Sequence, residues 1–253
     1  MLPTIDTVAF EPPRAATDAA LDVAISHALL NRSADTGLAS LRLWRPLTPA
    51  LSLGRLDVRH PRLPDVLALA RRAGVAPVRR LAGGHAATFD SGSLCLGWAQ
   101  PHPRLEESSA RYALIAEAIV EGLGALGVES SLGEVAGEWC PGAWSVQGPS
   151  GKLAGLAQRV VSGGAWCEAL IVIDAAPELR DLARQVHEVL DLDWSDSAQG
   201  GLAELLPGTP DLHEALAETL TGALAQRLGE VQRRPLPADV VDDAVALAAE
   251  HRF

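Results

Sequence analysis

From Leu41 to Ile173 the apolar residues come in short runs, and each run is cut by Gly or Pro. Leu41-Arg42-Leu43-Trp44 alternates and stops before Pro46, and Ala50-Leu51-Ser52-Leu53 stops at Gly54. Val75 to Leu81 runs into Gly83-Gly84. Leu94-Cys95-Leu96-Gly97-Trp98 follows the turn Asp90-Ser91-Gly92-Ser93 and ends at Pro101 and Pro103. Trp144-Ser145-Val146 and Lys152 to Ala157 flank the turn Gly148-Pro149-Ser150-Gly151, and Trp166 to Ile173 completes the series. Runs this short, bounded by turn residues, read as strands. The segments between and after them have a helical period. Arg111 to Leu126 sets Leu114, Ile115, Ala118, Ile119, Leu123 and Leu126 on one face. Ala15 to Asn31, Leu63 to Ala73, Glu178 to Val189, Leu212 to Leu228 and Ala238 to Ala249 read as further helices, with a polar loop from Ser33 to Gly37 after the first. Strands gathered in the first two thirds, with helices between and after, make an α+β layout rather than a βαβ alternation.

With 253 residues, 48% of them apolar, the chain suits one domain over residues 1–253, with a core of about 15–174 and a helical tail of about 175–253. The net charge of -11 argues against a nucleic-acid binder, which needs a basic footprint. The charge is uneven, however. Between Arg42 and Arg80 the only acids are Asp57 and Asp65, so this lobe offers either a positive surface for an anionic partner or plain solvated charge. The start, M-L-P-T-I-D-T-V-A-F, has no basic segment leading into an apolar run, so no export signal is expected. No apolar stretch reaches the ~20 residues of a membrane helix. Cys95, Cys140 and Cys167 show no paired spacing, which points to reduced thiols in the cytoplasm.

Among 21 basic side chains Lys152 is the one lysine. Arginine carries a surface charge equally well, but it cannot replace a compact ammonium fitted against a carbonyl or a thiolate. Twelve residues upstream (152 minus 140) lies Cys140, in Cys-Pro-Gly. Such a turn exposes a thiol better than a strand interior does, and a neighbouring cation favours the thiolate. Cys140 is thus a candidate nucleophile or a small buried apolar residue. Cys95 and Cys167 sit inside apolar runs and read as buried. In Arg79-Arg80-Leu81-Ala82-Gly83-Gly84-His85-Ala86 a strand runs into paired glycines, which let backbone N–H groups approach a ligand. A tight hairpin turn uses the same residues. The stretch is neither a P-loop nor a dinucleotide fingerprint. His85, inside this turn, is a base, a donor to substrate or a turn residue. His60, His187, His213 and His251 read as surface residues, and no histidine pair has metal spacing.

Taken together, R-R-L-A-G-G-H-A and, roughly seventy residues on, G-K-L-A-G-L-A-Q-R resemble the lipoate–protein ligase and octanoyltransferase family, relatives of the biotin protein ligases. Leu51-Ser52-Leu53-Gly54-Arg55 is similar to the family's early hairpin. The resemblance covers about Ala15 to Asp174. It implies a mixed central β-sheet flanked by helices, with an acyl tunnel beside the glycine turn. It implies that Lys152 contacts the acyl carbonyl. It also implies that Arg79, Arg80, Gly83, Gly84, His85, Ala86, Gly155, Ala157 and Gln158 line the substrate site. Cys140 stands where the cysteine-dependent octanoyltransferases carry a cysteine upstream of that lysine, and the Cys-Pro-Gly setting is most similar to the branch that relays octanoyl between lipoyl domains. Ala82, His85 and Phe89 depart from the family pattern, which usually has Thr or Ser, Gly or Arg, and His there.

The implied reaction is octanoyl transfer through a Cys140 acyl-enzyme. The donor is an acyl carrier protein or an octanoylated H protein, and the acceptor is a lysine on the lipoyl domain of an H protein or E2 subunit. No cofactor is expected, and neither nucleic acid nor membrane is a partner. Lys152 would stabilise the thiolate and polarise the carbonyl, and arginines of the Arg42–Arg80 lobe would meet an acidic carrier. The alternatives are an ATP- and Mg-dependent ligase acting through an acyl-adenylate, and a non-catalytic acyl- or carrier-binding protein.

Overall fold

The computed structural model describes residues 18–229, 231 and 234–253, together with the backbone of 5–10. The start of the expected first helix, at Ala15, lies outside the described residues. In chain order the elements are β1 (Ile5–Phe10), α1 (Ala19–Thr36), β2 (Ala39–Trp44), β3 (Ala50–Leu53), α2 (Arg55–Val58), α3 (Leu63–Arg72), β4 (Ala76–Arg79), β5 (Ala87–Phe89) and β6 (Ser93–Pro101). They continue with α4 (Ser108–Ala125), β7 (Ser131–Leu132), β8 (Val146–Gly148), β9 (Gly151–Val161), β10 (Gly164–Val172), α5 (Pro177–Val189), α6 (Leu202–Leu205), α7 (Leu212–Leu228) and α8 (Ala238–Leu247). The described strands form a seven-stranded sheet, ordered β1-β2-β6-β10-β9-β8-β7, and a three-stranded sheet, ordered β4-β3-β5. Both are mixed. β1 runs parallel to β2 and β3 parallel to β4, and the other pairings are antiparallel.

Strand alternation explains why the large sheet is covered on both faces. Leu41, Leu43, Leu94 and Leu96 point to one side, where Ile115 and Ile119 of α4 and Leu216 and Leu220 of α7 meet them. Trp44, Cys95 and Trp166 point to the other, against Ala24, Ala28 and Leu29 of α1 and Val240 and Ala244 of α8. The result is helix, sheet and helix in three layers. A second core under the small sheet joins Leu51 and Leu53 to α3 and α5. The C-terminal helices are built into these layers: α7 shares the main core and α8 lies along α1.

Three local expectations change. The polar loop at Ser33 is helical through Thr36, because Gly37 supplies the left-handed residue (φ 75°) that ends α1 one turn later. Arg42 is not part of a basic surface. It faces α1 fully buried, donating to the Asp22 carbonyl at 2.7 Å, the Asp22 carboxylate at 3.1 Å and Ser26 at 3.2 Å. His187 and His251 are buried rather than exposed. No described helix is long and apolar enough to cross a membrane.

The C-terminal segment ties α1 to β4. His27 Nδ1 lies 3.2 Å from His251 Nε2, His251 Nδ1 donates to the Arg79 carbonyl at 2.8 Å, and Arg252 pairs with Asp18. Burial lowers the pKa of both histidines below the ordinary 6.5, and the charge of His251 lowers His27 further. The unfolded chain therefore binds more protons just below pH 6.5, so stability falls as pH drops through that window. His27→Gln is expected to flatten the fall, by less than one proton, in urea midpoints compared at pH 7.5 and 5.5.

Candidate active site

Lys152 and Glu138 form the base of the site. Both are fully buried, with Nζ 3.1 Å from Glu138 Oε1. The other Glu138 contacts come from Ser145 Oγ and the N–H groups of Gly142 and Val135. Lys152 gives its remaining protons to the carbonyls of Trp139, at 2.8 Å, and Cys140, at 2.9 Å. The ammonium also lies 4.1 Å from the centre of the Trp139 ring. Lys152 thus holds Cys140 by its carbonyl, not by its thiol, and all three of its protons are used. Burial is the main cause that lowers its pKa, and the opposing charges of Cys140 and Glu138 work against that.

Cys140 sits on this base in a left-handed conformation, φ 42°, which costs on the order of 1–3 kcal/mol outside glycine. The surrounding hydrogen bonds over-determine it. Its thiol is not on an exposed turn, since the residue is only 8% exposed. The sulfur meets two donors from the glycine turn: the His85 N–H at 3.2 Å and Arg80 Nη1 at 3.5 Å. Arg80 also donates to the His85 carbonyl at 2.8 Å and pairs with Glu168 at 3.5 Å. Burial works to lower the Arg80 pKa, but the acidic groups around it, Glu168 among them, outweigh that and raise it, so the guanidinium stays charged.

Gly84 is the residue that lets the turn come this close. Its φ is 97°, and a Cβ there would stand 2.7 Å from the sulfur and 3.0 Å from Arg80 Nη1. Gly84→Ala is expected to destabilise the fold by about 1–2 kcal/mol, because the new Cβ would be strained at this φ and would press on the sulfur. Urea denaturation measures the effect.

An apolar pocket opens from the thiol and crosses the sheet. Its floor is one cross-strand row: Gly155 of β9 pairs with Leu170 of β10, Leu170 with Cys95 of β6, and Cys95 with Trp44 of β2. Three inter-strand steps span about 14 Å. Gly155 leaves room for the Trp139 ring, which a Cβ would meet at 2.7 Å.

Of the residues singled out in the sequence, Cys140, Arg80, Gly84, His85 and Gly155 come together here, with Lys152 beneath. The rest do not reach the thiol. Arg79 turns outward over the Phe253 ring, and Ala86 is buried in the core under the small sheet. Gln158 binds Arg111 and the Ser108 carbonyl, its own carbonyl accepts from Gly83, and Ala157 is a buried strand residue paired with Glu168. Arg79, Gly83 and Gln158 border a neighbouring cleft with Arg55, Arg59 and Arg159. Four residues were not found in the sequence: Glu138, Glu168, Trp139 and Asp57. Only Glu138 left a trace there, as the acid nearest Cys140. Among the described residues no group of three or more His, Cys, Asp and Glu side chains could hold a metal.

Residues 18–201 match the family model described as the lipoyl protein ligase A/B catalytic domain. An octanoyl-[GcvH]:protein N-octanoyltransferase of Geobacillus kaustophilus is 29% identical over 143 residues, 54% of this chain and 49% of that protein. A protein of the same name from an Exiguobacterium species is 31% identical over 154 residues, 61% of this chain and 54% of its own. The chain spans about half the length of these curated relatives. A crystal structure of lipoate-protein ligase A bound with ATP superposes with a TM-score of 0.77 at 14% identity, covering 98% of this chain and 95% of that one, and so shares the fold.

Proposed function

Because the chain belongs to the lipoyl protein ligase A/B catalytic-domain family, we propose that it is an octanoyltransferase working through a Cys140 acyl-enzyme. The observation that carries this reading is the sulfur itself. It stands at the end of an apolar pocket, between a guanidinium and a backbone N–H, in a strained conformation held from below by a buried ion pair. The pocket row is longer than an extended eight-carbon acyl chain. The names of the relatives support octanoylated GcvH as donor and a lipoyl-domain lysine as acceptor. An acyl carrier thioester is the second candidate donor.

In the first half-reaction the Cys140 thiolate attacks the acyl carbonyl; the C–N bond of an amide donor breaks and its nitrogen leaves as the amine with a proton drawn from solvent, whereas a thioester donor leaves as the thiolate. In the second a lysine amine attacks the thioester carbon and the thiolate is released. From an amide donor the first step is uphill and the second recovers it, so the whole exchange is balanced without nucleotide. Arg80 and the His85 N–H meet the charge on sulfur at both stages. Lys152 fixes the Cys140 backbone, and its charge adds to the positive field around the thiol.

The test is an intact mass taken after mixing the protein with an octanoylated lipoyl domain and no nucleotide. A single octanoyl adduct, passed on when fresh acceptor is added, is the expected result. Acylation of the acceptor only with ATP and free octanoate would instead identify a ligase, and turnover of neither donor would leave a binding protein.

A further inference from the structure

We propose that the imidazole of His85, held by the buried carboxylate of Asp57, removes the proton from the incoming amine; the proposal rests on the transferase reading above. Asp57 lies in the single turn of α2 and is 2% exposed. Its Oδ2 accepts the Gly54 N–H at 2.8 Å, and its Oδ1 lies 2.9 Å from His85 Nδ1. A carboxylate only accepts, so Nδ1 carries a hydrogen, and in the neutral ring the lone pair is then on Nε2. Nε2 makes no hydrogen bond among the described residues, and the ring keeps 28% of its surface open. The same residue places its backbone N–H on the Cys140 sulfur at 3.2 Å, so the ring is carried by the residue that caps the nucleophile.

The other titratable groups around the thiol are committed. Glu168 accepts from Trp166 Nε1 at 2.8 Å and pairs with Arg80. Lys152 has given all three protons to Glu138 and two carbonyls. Arginine does not release its proton. His187 is 1% exposed, bonded to the Asp193 carbonyl and packed edge-on against Trp194. Among the described residues, His85 is therefore the residue touching the sulfur whose side chain is left open to act as a base. A neutral imidazole whose hydrogen-bonded carboxylate sets its tautomer is the arrangement general-base chemistry uses.

The step balances as follows. The acceptor lysine loses one proton to bulk water, and its lone pair forms the C–N bond at the thioester carbon. His85 Nε2 takes a second proton from that nitrogen as the C–S bond breaks. The electron pair leaves on the Cys140 sulfur, where Arg80 and the His85 N–H receive it. The imidazolium then returns its proton to the sulfur or to water.

A two-acceptor experiment on preloaded octanoyl-enzyme tests this. The lipoyl-domain lysine is one acceptor. Hydroxylamine, whose conjugate acid is strong enough that the base is neutral at pH 7 and reacts without a general base, is the other. Loaded from an octanoyl thioester, whose thiolate leaves without a proton, His85→Gln is expected to form the adduct, to pass it to lysine on the order of a hundredfold more slowly, to pass it to hydroxylamine almost normally, and to be slowed in taking octanoyl from an amide donor by the same factor as in the reverse step. Asp57→Asn, a change at the positioning residue, should show the same split in smaller measure. Imidazole in solution should restore lysine transfer by His85→Ala. Equal slowing with both acceptors, or loss of the adduct from the thioester donor in His85→Gln, would mean that the residue only shapes the turn and would overturn the proposal. If the unaltered protein forms no adduct at all, the transferase reading falls first and takes this step with it.

Discussion

Cys140→Ala is expected to keep the fold and to lose the octanoyl adduct, with transfer slowed on the order of a thousandfold or more. The fold should survive because Ala keeps the Cβ, so the left-handed backbone at this position is no more strained than before. Lys152 still bonds the residue-140 carbonyl, because that contact does not involve the side chain. The loss is confined to the sulfur and its two donors. Cys140→Ser separates shape from chemistry. Its hydroxyl can accept from the His85 N–H and Arg80, but an alcohol supplies almost no anion at pH 7, so the variant should be nearly as slow as Cys140→Ala. Single-turnover intact mass with an octanoylated lipoyl domain measures both. A Cys140→Ala protein that still transfers at the original rate would falsify the acyl-enzyme.

The largest effect on stability is expected at Lys152. Lys152→Met should cost about 3–5 kcal/mol, since it leaves the Glu138 carboxylate buried without its cation. Adding Glu138→Gln should recover part of that loss, because it removes the uncompensated charge and its oxygen can still accept from Gly142 and Ser145, although its NH2 then faces the Val135 N–H. Activity should not recover with it, since the Trp139 and Cys140 carbonyls would still lack the ammonium that holds them. Urea denaturation of the single and double variants, alongside adduct formation, gives the cycle. Lys152→Arg keeps the charge but must fit a planar guanidinium between Gly155 and the Trp139 ring, so it too should fail. A stable double variant with full activity would reduce Lys152 to a bystander.

The elements with long or well-punctuated patterns were legible in the sequence. α4, α7 and β10 follow the helical or short-run periods over most of their length, and Gly74 and Pro177 bound α3 and α5 as turn chemistry requires. α2 was not legible. It is a single turn, too short to carry a period, and its N-terminal residue is a glycine with no side chain to signal a cap. Asp57 was therefore hidden, and with it the partner of His85. Arg42 misled for a different reason. An arginine in an alternating strand reads as the solvent side, yet α1 covers that side and supplies the Asp22 and Ser26 oxygens that admit it.

The amino-acid sequence alone determined the α+β order of elements, the need for glycine beside Arg80, and the pairing in one chain of a lone lysine with a cysteine in a Pro-Gly turn. These follow from local rules of period, turn chemistry and residue choice, which act within a few positions. Tertiary structure alone decided which atoms meet. It set Lys152 beneath the Cys140 carbonyl and Arg80 and the His85 N–H on the sulfur, 55 to 60 residues away along the chain. Which atoms meet depends on how β4, β9 and the 138–145 loop fold over one another. Burial then fixed the charges, because an ammonium and a carboxylate taken out of water must find each other.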